Sequence, residues 1–135
     1  MPLLSAICAG GFITKGNQFL LVEEKDGTYN FPMGNVEQNE SIEDACMREV
    51  KEETGFEVAI DNLRTVLHIK RGDFYLTKFL FNVSIVTIHT HYDPEVVGIR
   101  FVTEEEFRAL HAAHKLRSSD MLALYESRKQ IGYYE

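Results

Sequence analysis

Residues 48–53 read Arg-Glu-Val-Lys-Glu-Glu. Glu49, Glu52 and Glu53 supply hard oxygen ligands, of the kind that hold Mg²⁺ between protein carboxylates and substrate phosphates. Whether they act together depends on how they are displayed. At about 100° per residue, Ile42, Ala45, Cys46 and Val50 form one apolar helical stripe, and Glu49 and Glu53 fall inside it. Glu52 lies beside the stripe, with Arg48 next to it, so the three carboxylates converge near the C-terminal end of a helix. That placement is unfavourable on its own. Acids at a helix C-terminus face the negative end of the macrodipole, at a typical cost of about 0.3–1 kcal/mol. Acids in a core-facing stripe face desolvation, and like charges four residues apart repel. A divalent cation relieves all three conflicts. The plainer alternative is a solvated charged face in which Arg48 and Lys51 pair with the acids. The alignment of Glu49 and Glu53 with Ile42 and Cys46 weighs against it.

The elements that must position this cluster can be read on either side of it. Ser41, followed three residues later by Asp44, fits a helix N-cap. The helix runs to about Thr54, and Gly55 stands where a C-terminal stop belongs. Upstream, Leu4–Thr14 and Gln18–Glu23 read as strands around a Lys15-Gly16-Asn17 turn, and are expected to pair as a hairpin. Tyr29–Pro32 is extended, because a residue before proline avoids the helical region. Downstream, Phe56–Ile60, Asn62–Lys70, Phe74–Thr87 and Val96–Val102 read as strands, with a hairpin turn at Arg71-Gly72-Asp73. Thr103–Glu106 is a second capping box, opening a helix to about His114. Ser118 or Ser119 caps a last helix to roughly Gln130. Strands, helix, strands and helices in this order make a mixed α/β domain rather than a βαβ repeat.

The 135 residues fit one domain, long enough to bury roughly two thirds of the unfolded surface without a staple. The net charge of −7 argues against a duplex nucleic acid partner, which requires a basic face. A small anionic substrate remains compatible if a cation supplies positive charge. The apolar N-terminus lacks the basic segment of a signal peptide, and no apolar run reaches the ~18 residues of a membrane span. A soluble cytoplasmic protein with no membrane partner is the expectation. Cys8 and Cys46 match no metal-site spacing and read as small core residues.

The cluster belongs to a longer pattern. Gly34, five residues, Glu40, seven residues, then Arg48-Glu49-Val50-Lys51-Glu52-Glu53-Thr54-Gly55-Phe56 resembles the complete Nudix box, matching all nine of its specified positions. Tyr29-Asn30-Phe31-Pro32 resembles the family's lead-in, and Arg100–Phe107 its closing strand and helix. The resemblance implies a Nudix-type α/β/α sandwich around a mixed β-sheet. It implies hydrolysis of a diphosphate bond in a nucleoside diphosphate derivative, with Mg²⁺ or Mn²⁺ as cofactor. Carried onto this chain, Glu49, Glu52 and Glu53 hold metal, joined by the Gly34 carbonyl. Arg48 orients the carboxylates, and Glu40 steadies the loop or Arg48. The general base is a box glutamate or an acid on a later loop, where Glu95 stands; the plain alternative for Glu95 is a turn acid. Many members dimerise, though no single stripe here demands a homodimer.

Three departures bear on substrate. Met33 replaces one of the usual paired glycines, Asn39 replaces a common glycine before Glu40, and Glu23-Glu24 stand where many members carry basic residues. Tyr29, Phe74 and Tyr75 are the aromatic candidates for substrate binding, while Phe79 and Phe81 read as strand packing. Arg71 and Arg100, with Lys70 and Lys78, are the basic candidates. The histidines form no ligand constellation. Without the proline or tyrosine markers of other groups, the resemblance favours a free (deoxy)nucleoside triphosphate. ADP-ribose, a dinucleoside polyphosphate or capped RNA are the alternatives within the same chemistry. A non-catalytic nucleotide sensor is the alternative outside it, disfavoured by retention of all three glutamates.

Overall fold

The computed structural model describes residues 4–89, 96–126 and 131–134. Local chemistry sets the helices. In α1 (Ile42–Thr54), the Ser41 hydroxyl accepts from the Asp44 N–H at 3.0 Å. Gly55 ends the helix at φ 79° and donates to the Lys51 carbonyl, a left-handed geometry that favours glycine. In α2 (Glu104–Ala112), the Thr103 hydroxyl accepts from the Glu106 N–H at 3.2 Å, and the Glu106 carboxylate accepts from the Thr103 N–H at 2.9 Å. Helix α3 (Asp120–Glu126) follows.

The strands are β1 (Leu4–Phe12), β2 (Thr14–Lys15), β3 (Gln18–Glu24), β4 (Tyr29–Asn30), β5 (Met33–Asn35), β6 (Phe56–Arg71), β7 (Phe74–Ile88), β8 (Val96–Thr103) and β9 (Ile131–Tyr134). One sheet has the order β5-β1-β7-β6-β9 and is mixed, with β1 parallel to β7 and β9 parallel to β6. The other places β3 between β8 on one side and β2 and β4 on the other. Alternation along the strands feeds two cores. Leu20 and Val22 join Ala45, Cys46 and Val50 beneath α1. Phe19 and Leu21 join Phe107, Leu116, Met121 and Leu124 beneath α2 and α3. Helices on both faces of the strand layer give the expected α/β/α sandwich. No helix among the described residues is long and apolar enough to cross a membrane.

Several element readings change. Leu4–Phe12 does not form a hairpin with β3; nine of its residues pair in parallel with Phe74–Asn82. Only Thr14–Lys15 turns back onto β3. The strands predicted on either side of Asp61 are one strand, β6, kept continuous by bulges opposite β7. Helix α2 ends at Ala112, short of His114, whose φ is 57°. The last helix is described only to Glu126, and residues 127–130 of its predicted span lie outside the described residues. Strand β9 was not anticipated; it pairs with Val66–Ile69, far upstream. Cys46 is a core residue as expected: it is fully buried, donates to the Gly10 carbonyl at 3.2 Å, and burial pushes its thiol pKa up to about 12. Cys8 is not; it is half-buried on an open face of the sheet.

Removing the α2 cap tests this account of the fold. Thr103→Ala should cost about 1 kcal/mol, lowering the melting temperature by about 3–5 °C in a chain of this size. Thr103→Ser should restore most of the loss.

Candidate functional site

Helix α1 presents its C-terminal half to the edge strand β5. The Arg48 guanidinium sits at the junction. Its Nε donates to Glu40 Oε2 at 2.7 Å and its Nη2 to Glu40 Oε1 at 3.0 Å, a two-pronged contact. Nη2 also donates to the Asn35 carbonyl at 3.0 Å. Nη1 donates to Glu49 Oε1 at 2.9 Å and to both Glu52 oxygens at 3.3 Å. Glu40 in turn accepts from the Glu37 N–H at 3.0 Å. Hydrogen bonds from Arg48, then from the Glu37 N–H, hold the Glu40 carboxyl below its usual range. Those to Glu40 push Arg48 far above its already high value.

Of the three glutamates, only Glu52 lies on a solvated helix face, its side chain 47% exposed and paired with Arg48. Glu53 is 9% exposed, and the Glu49 side chain 15%. Lys51 turns away and pairs with Glu57 at 3.0 Å. Gly34 explains the close approach: a Cβ there would lie 2.4 Å from the carboxylate carbon and Oε1 of Glu49. The carboxylate thus fills the space any side chain at position 34 would need. Convergence differs from the helical-wheel expectation, since Arg48 stands between Glu49 and Glu52. Among the described residues, no three His, Cys, Asp or Glu side chains meet in metal-binding geometry. The donor set itself, all carboxylate oxygen beside a backbone with no side chain, suits a hard cation such as Mg²⁺ or Mn²⁺.

The residues proposed for substrate binding do not form one group. The Tyr29 hydroxyl donates to Glu23 at 3.2 Å, and the Arg100 guanidinium lies 5.5 Å from the Tyr29 ring centre. Arg100 also faces Glu106 at 3.5 Å. Phe74 sits at the tip of the β6–β7 hairpin, 41% exposed. Tyr75 stacks on His68, their centres 5.4 Å apart, on the α1 side of the sheet. Arg71 lies on the opposite side and donates to both oxygens of Asp120 at 2.8 Å. Glu95 lies outside the described residues.

A model of the NUDIX domain matches residues 4–125. The chain belongs to the Nudix family. A Bacillus subtilis protein provisionally named 8-oxo-dGTP diphosphatase is 41% identical over 93 residues, covering 67% of this chain and 61% of that protein. An ADP-ribose pyrophosphatase from Methanocaldococcus jannaschii is 43% identical over 54 residues, 37% of this chain and 32% of the relative. The chain spans between 27% and 32% of the length of three of the curated relatives it matches. Among solved structures, a NUDIX hydrolase from Nitrosomonas europaea superposes with a TM-score of 0.81 at 28% identity, over 90% of this chain and 86% of the other. The MutT protein of Methanosarcina mazei Go1 shares the fold, with a TM-score of 0.75 at 18% identity over 93% of this chain and 94% of the other.

Two residues on the sheet face opposite α1 make polar contacts that the sequence reading did not assign them. Asp120 is buried, accepting from Arg71 and, at 3.3 Å, from Lys78. Cys8 donates to Asn35 Oδ1 at 3.3 Å, one residue from Gly34. Neither had a signal in the sequence, because Lys78 and Asp120 meet only when α3 packs on the sheet.

Two outcomes follow from the site geometry. Gly34→Ala should leave the fold intact, since Glu49 is flexible at its far end. It should lower activity at least about tenfold by displacing that carboxylate, as steady-state rates and a melting curve will show. Glu40 has a folded pKa below its unfolded value of about 4.3. Its stabilisation is therefore complete above that unfolded value and is lost as pH falls through the folded one. The melting-temperature gap between the native chain and Glu40→Gln should be widest near pH 7 and should close as pH drops from about 5 toward 3.

Proposed function

We propose that the chain is a divalent-metal-dependent hydrolase that cleaves a diphosphate bond in a nucleotide, with free (deoxy)nucleoside triphosphates as the favoured class. The observation that carries this reading is the burial of Glu53 and the seating of the Glu49 carboxylate against Gly34, with Arg48 as the local cation. A stable fold gains nothing from acids placed there, whereas a diphosphate reaction does. Glu49, Glu52 and Glu53, with the Gly34 carbonyl, would hold Mg²⁺ or Mn²⁺. When bound, the cation neutralises phosphate oxygens and acidifies the attacking water.

The chain's own residues supply position and proton transfer. Arg48 locks the 35–40 loop to α1, so the carboxylates keep their places against the edge strand. Water adds to one phosphorus, the bridging P–O bond breaks, and a carboxylate accepts the proton, from the box or at Glu95. From a nucleoside triphosphate the products are a nucleoside monophosphate and pyrophosphate. The name of the B. subtilis relative supports the triphosphate class. That of the M. jannaschii relative supports ADP-ribose as the second reading, with the same bond chemistry.

The test is release of phosphate and pyrophosphate from a nucleotide panel that includes ADP-ribose, with Mg²⁺ and then with EDTA. Turnover should require metal and favour triphosphates. Glu53→Gln should lower kcat at least about 100-fold, or ~2.7 kcal/mol in barrier, with a melting temperature no lower than that of the native chain. Near-normal turnover by Glu53→Gln would show that the metal cluster lies elsewhere.

A further inference from the structure

Strands β6 and β7 outrun their neighbours in the sheet. Strand β1 accompanies β7 only from Phe74 to Asn82, and β9 accompanies β6 only from Val66 to Ile69. Beyond those limits, Phe56–Ile60 and Val83–Ile88 form a ribbon and, among the described residues, pair only with each other. Where β1 parts from β7, a wedge of about 330 Å³ opens, walled by Phe12, Ile13 and Thr14 on one side and by Val83 and Ile85 on the other.

The two edges of this ribbon differ in kind. An open strand edge presents unpaired N–H and C=O groups, and folded chains guard such edges with charges and bulges. The β6 edge is guarded: it carries Glu57 and Asp61, and Asp61 is itself the extra residue of a bulge. The β7 edge reads Val-Ser-Ile-Val-Thr-Ile, β-branched at all but one position, with no charge and no proline. Ile85 is 40% exposed, Val86 67% and Ile88 65%. The bulge opposite Glu57 and Val58 leaves Val86 without a cross-strand partner on β6. A bare apolar edge of this kind invites another strand.

We propose that this edge is covered by a second copy of the chain, through antiparallel pairing of Val83–Ile88 with itself about a two-fold axis. A strand set against its own copy in this way matches donors with acceptors, and a two-fold contact closes instead of propagating. The Ile88 end of each copy then meets the Val83 end of the other. Each exposed Ile88 is brought to the wedge beside Val83 of the opposite copy, so projection and recess lie on one self-complementary surface. Charge agrees with this occupant. Two chains of net charge −7 repel, and they meet at least cost where neither carries charge. A cationic partner would need acidic side chains on this edge, and Val83–Ile88 has none. With the strand backbone, the exposed side chains offer on the order of 500 Å² per copy, or about 1,000 Å² for two, the lower bound of a specific interface. The dimer goes beyond the hydrolase reading and does not depend on it.

Sedimentation equilibrium of the full chain between about 1 and 200 µM tests the proposal, since an interface of modest area dissociates in the micromolar range. The native chain should pass from monomer to dimer as concentration rises. Val86→Lys and Ile88→Lys should each raise the dissociation constant at least about tenfold, because like charges then face each other across the two-fold axis. Val97→Lys should leave it unchanged; Val97 is 62% exposed but belongs to β8, in the other sheet. The native melting temperature should rise with concentration, and that of Val86→Lys should not; circular dichroism checks that each variant is folded. Amide hydrogen exchange of the native chain needs no substitution: residues 84–87 should exchange more slowly in the dimer than in the monomer. A chain that stays monomeric throughout, a dimer that survives both edge variants, unchanged exchange at 84–87 in the dimer, or assembly beyond two copies overturns the proposal.

Discussion

One guanidinium holds the candidate site together. Arg48 donates to Glu40, Glu49, Glu52 and the Asn35 carbonyl, so a single positive charge joins the 35–40 loop to the last two turns of α1. Without it, three acids at the negative end of a helix dipole would repel one another and the helix. Arg48 is suited to this because its donors form a rigid planar fork; a lysine would offer one mobile point charge. The loop reaches α1 because β5 is paired with β1, and the Glu49 carboxylate can lie against β5 because residue 34 lacks a side chain. Sheet pairing, glycine and salt-bridge network are therefore a single constraint.

The sandwich divides labour between its faces. On the α1 side, a closely packed apolar core brings carboxylates to the edge of the sheet and lets Glu53 stay buried. On the other side, α2 and α3 cover only part of the sheet, leaving the row from Asn35 to Lys78 half open. Strand alternation makes this possible, since successive residues of β1 face opposite sides: Ala9 packs beneath α1, while Cys8 is half-buried on the other face beside Asn35. In a chain of net charge −7, the cations on the two faces are each held by acids of their own face, Arg48 by Glu40, Glu49 and Glu52, and Arg71 and Lys78 by Asp120.

What could be read in advance was local in the chain. The N-cap at Ser41, the left-handed stop at Gly55 and the capping box at Thr103 each depend on residues within four positions of one another. What could not be read was pairing across long separations. Leu4–Phe12 has the composition of a hairpin strand, yet it pairs with Phe74–Asn82, because a parallel partner leaves no turn signal beside it. The short β9 went unseen for the same reason. Its residues acquire strand character from β6, some sixty-five residues upstream.

The sequence by itself determined the chemistry on offer. The spacing of Gly34, Glu40, Arg48, Glu49, Glu52 and Glu53 within one loop and one helix identified the family and the oxygen-rich cluster, since helical periodicity converts spacing into a shared face. Only the tertiary structure decided what surrounds that cluster. It placed Arg48 between Glu49 and Glu52, sent Tyr75 and Arg71 to opposite faces of the sheet, and seated Asp120 on Lys78. Those contacts join residues dozens of positions apart. Their geometry comes from strand register and from the docking of α3, and neither is encoded in any short stretch of the chain.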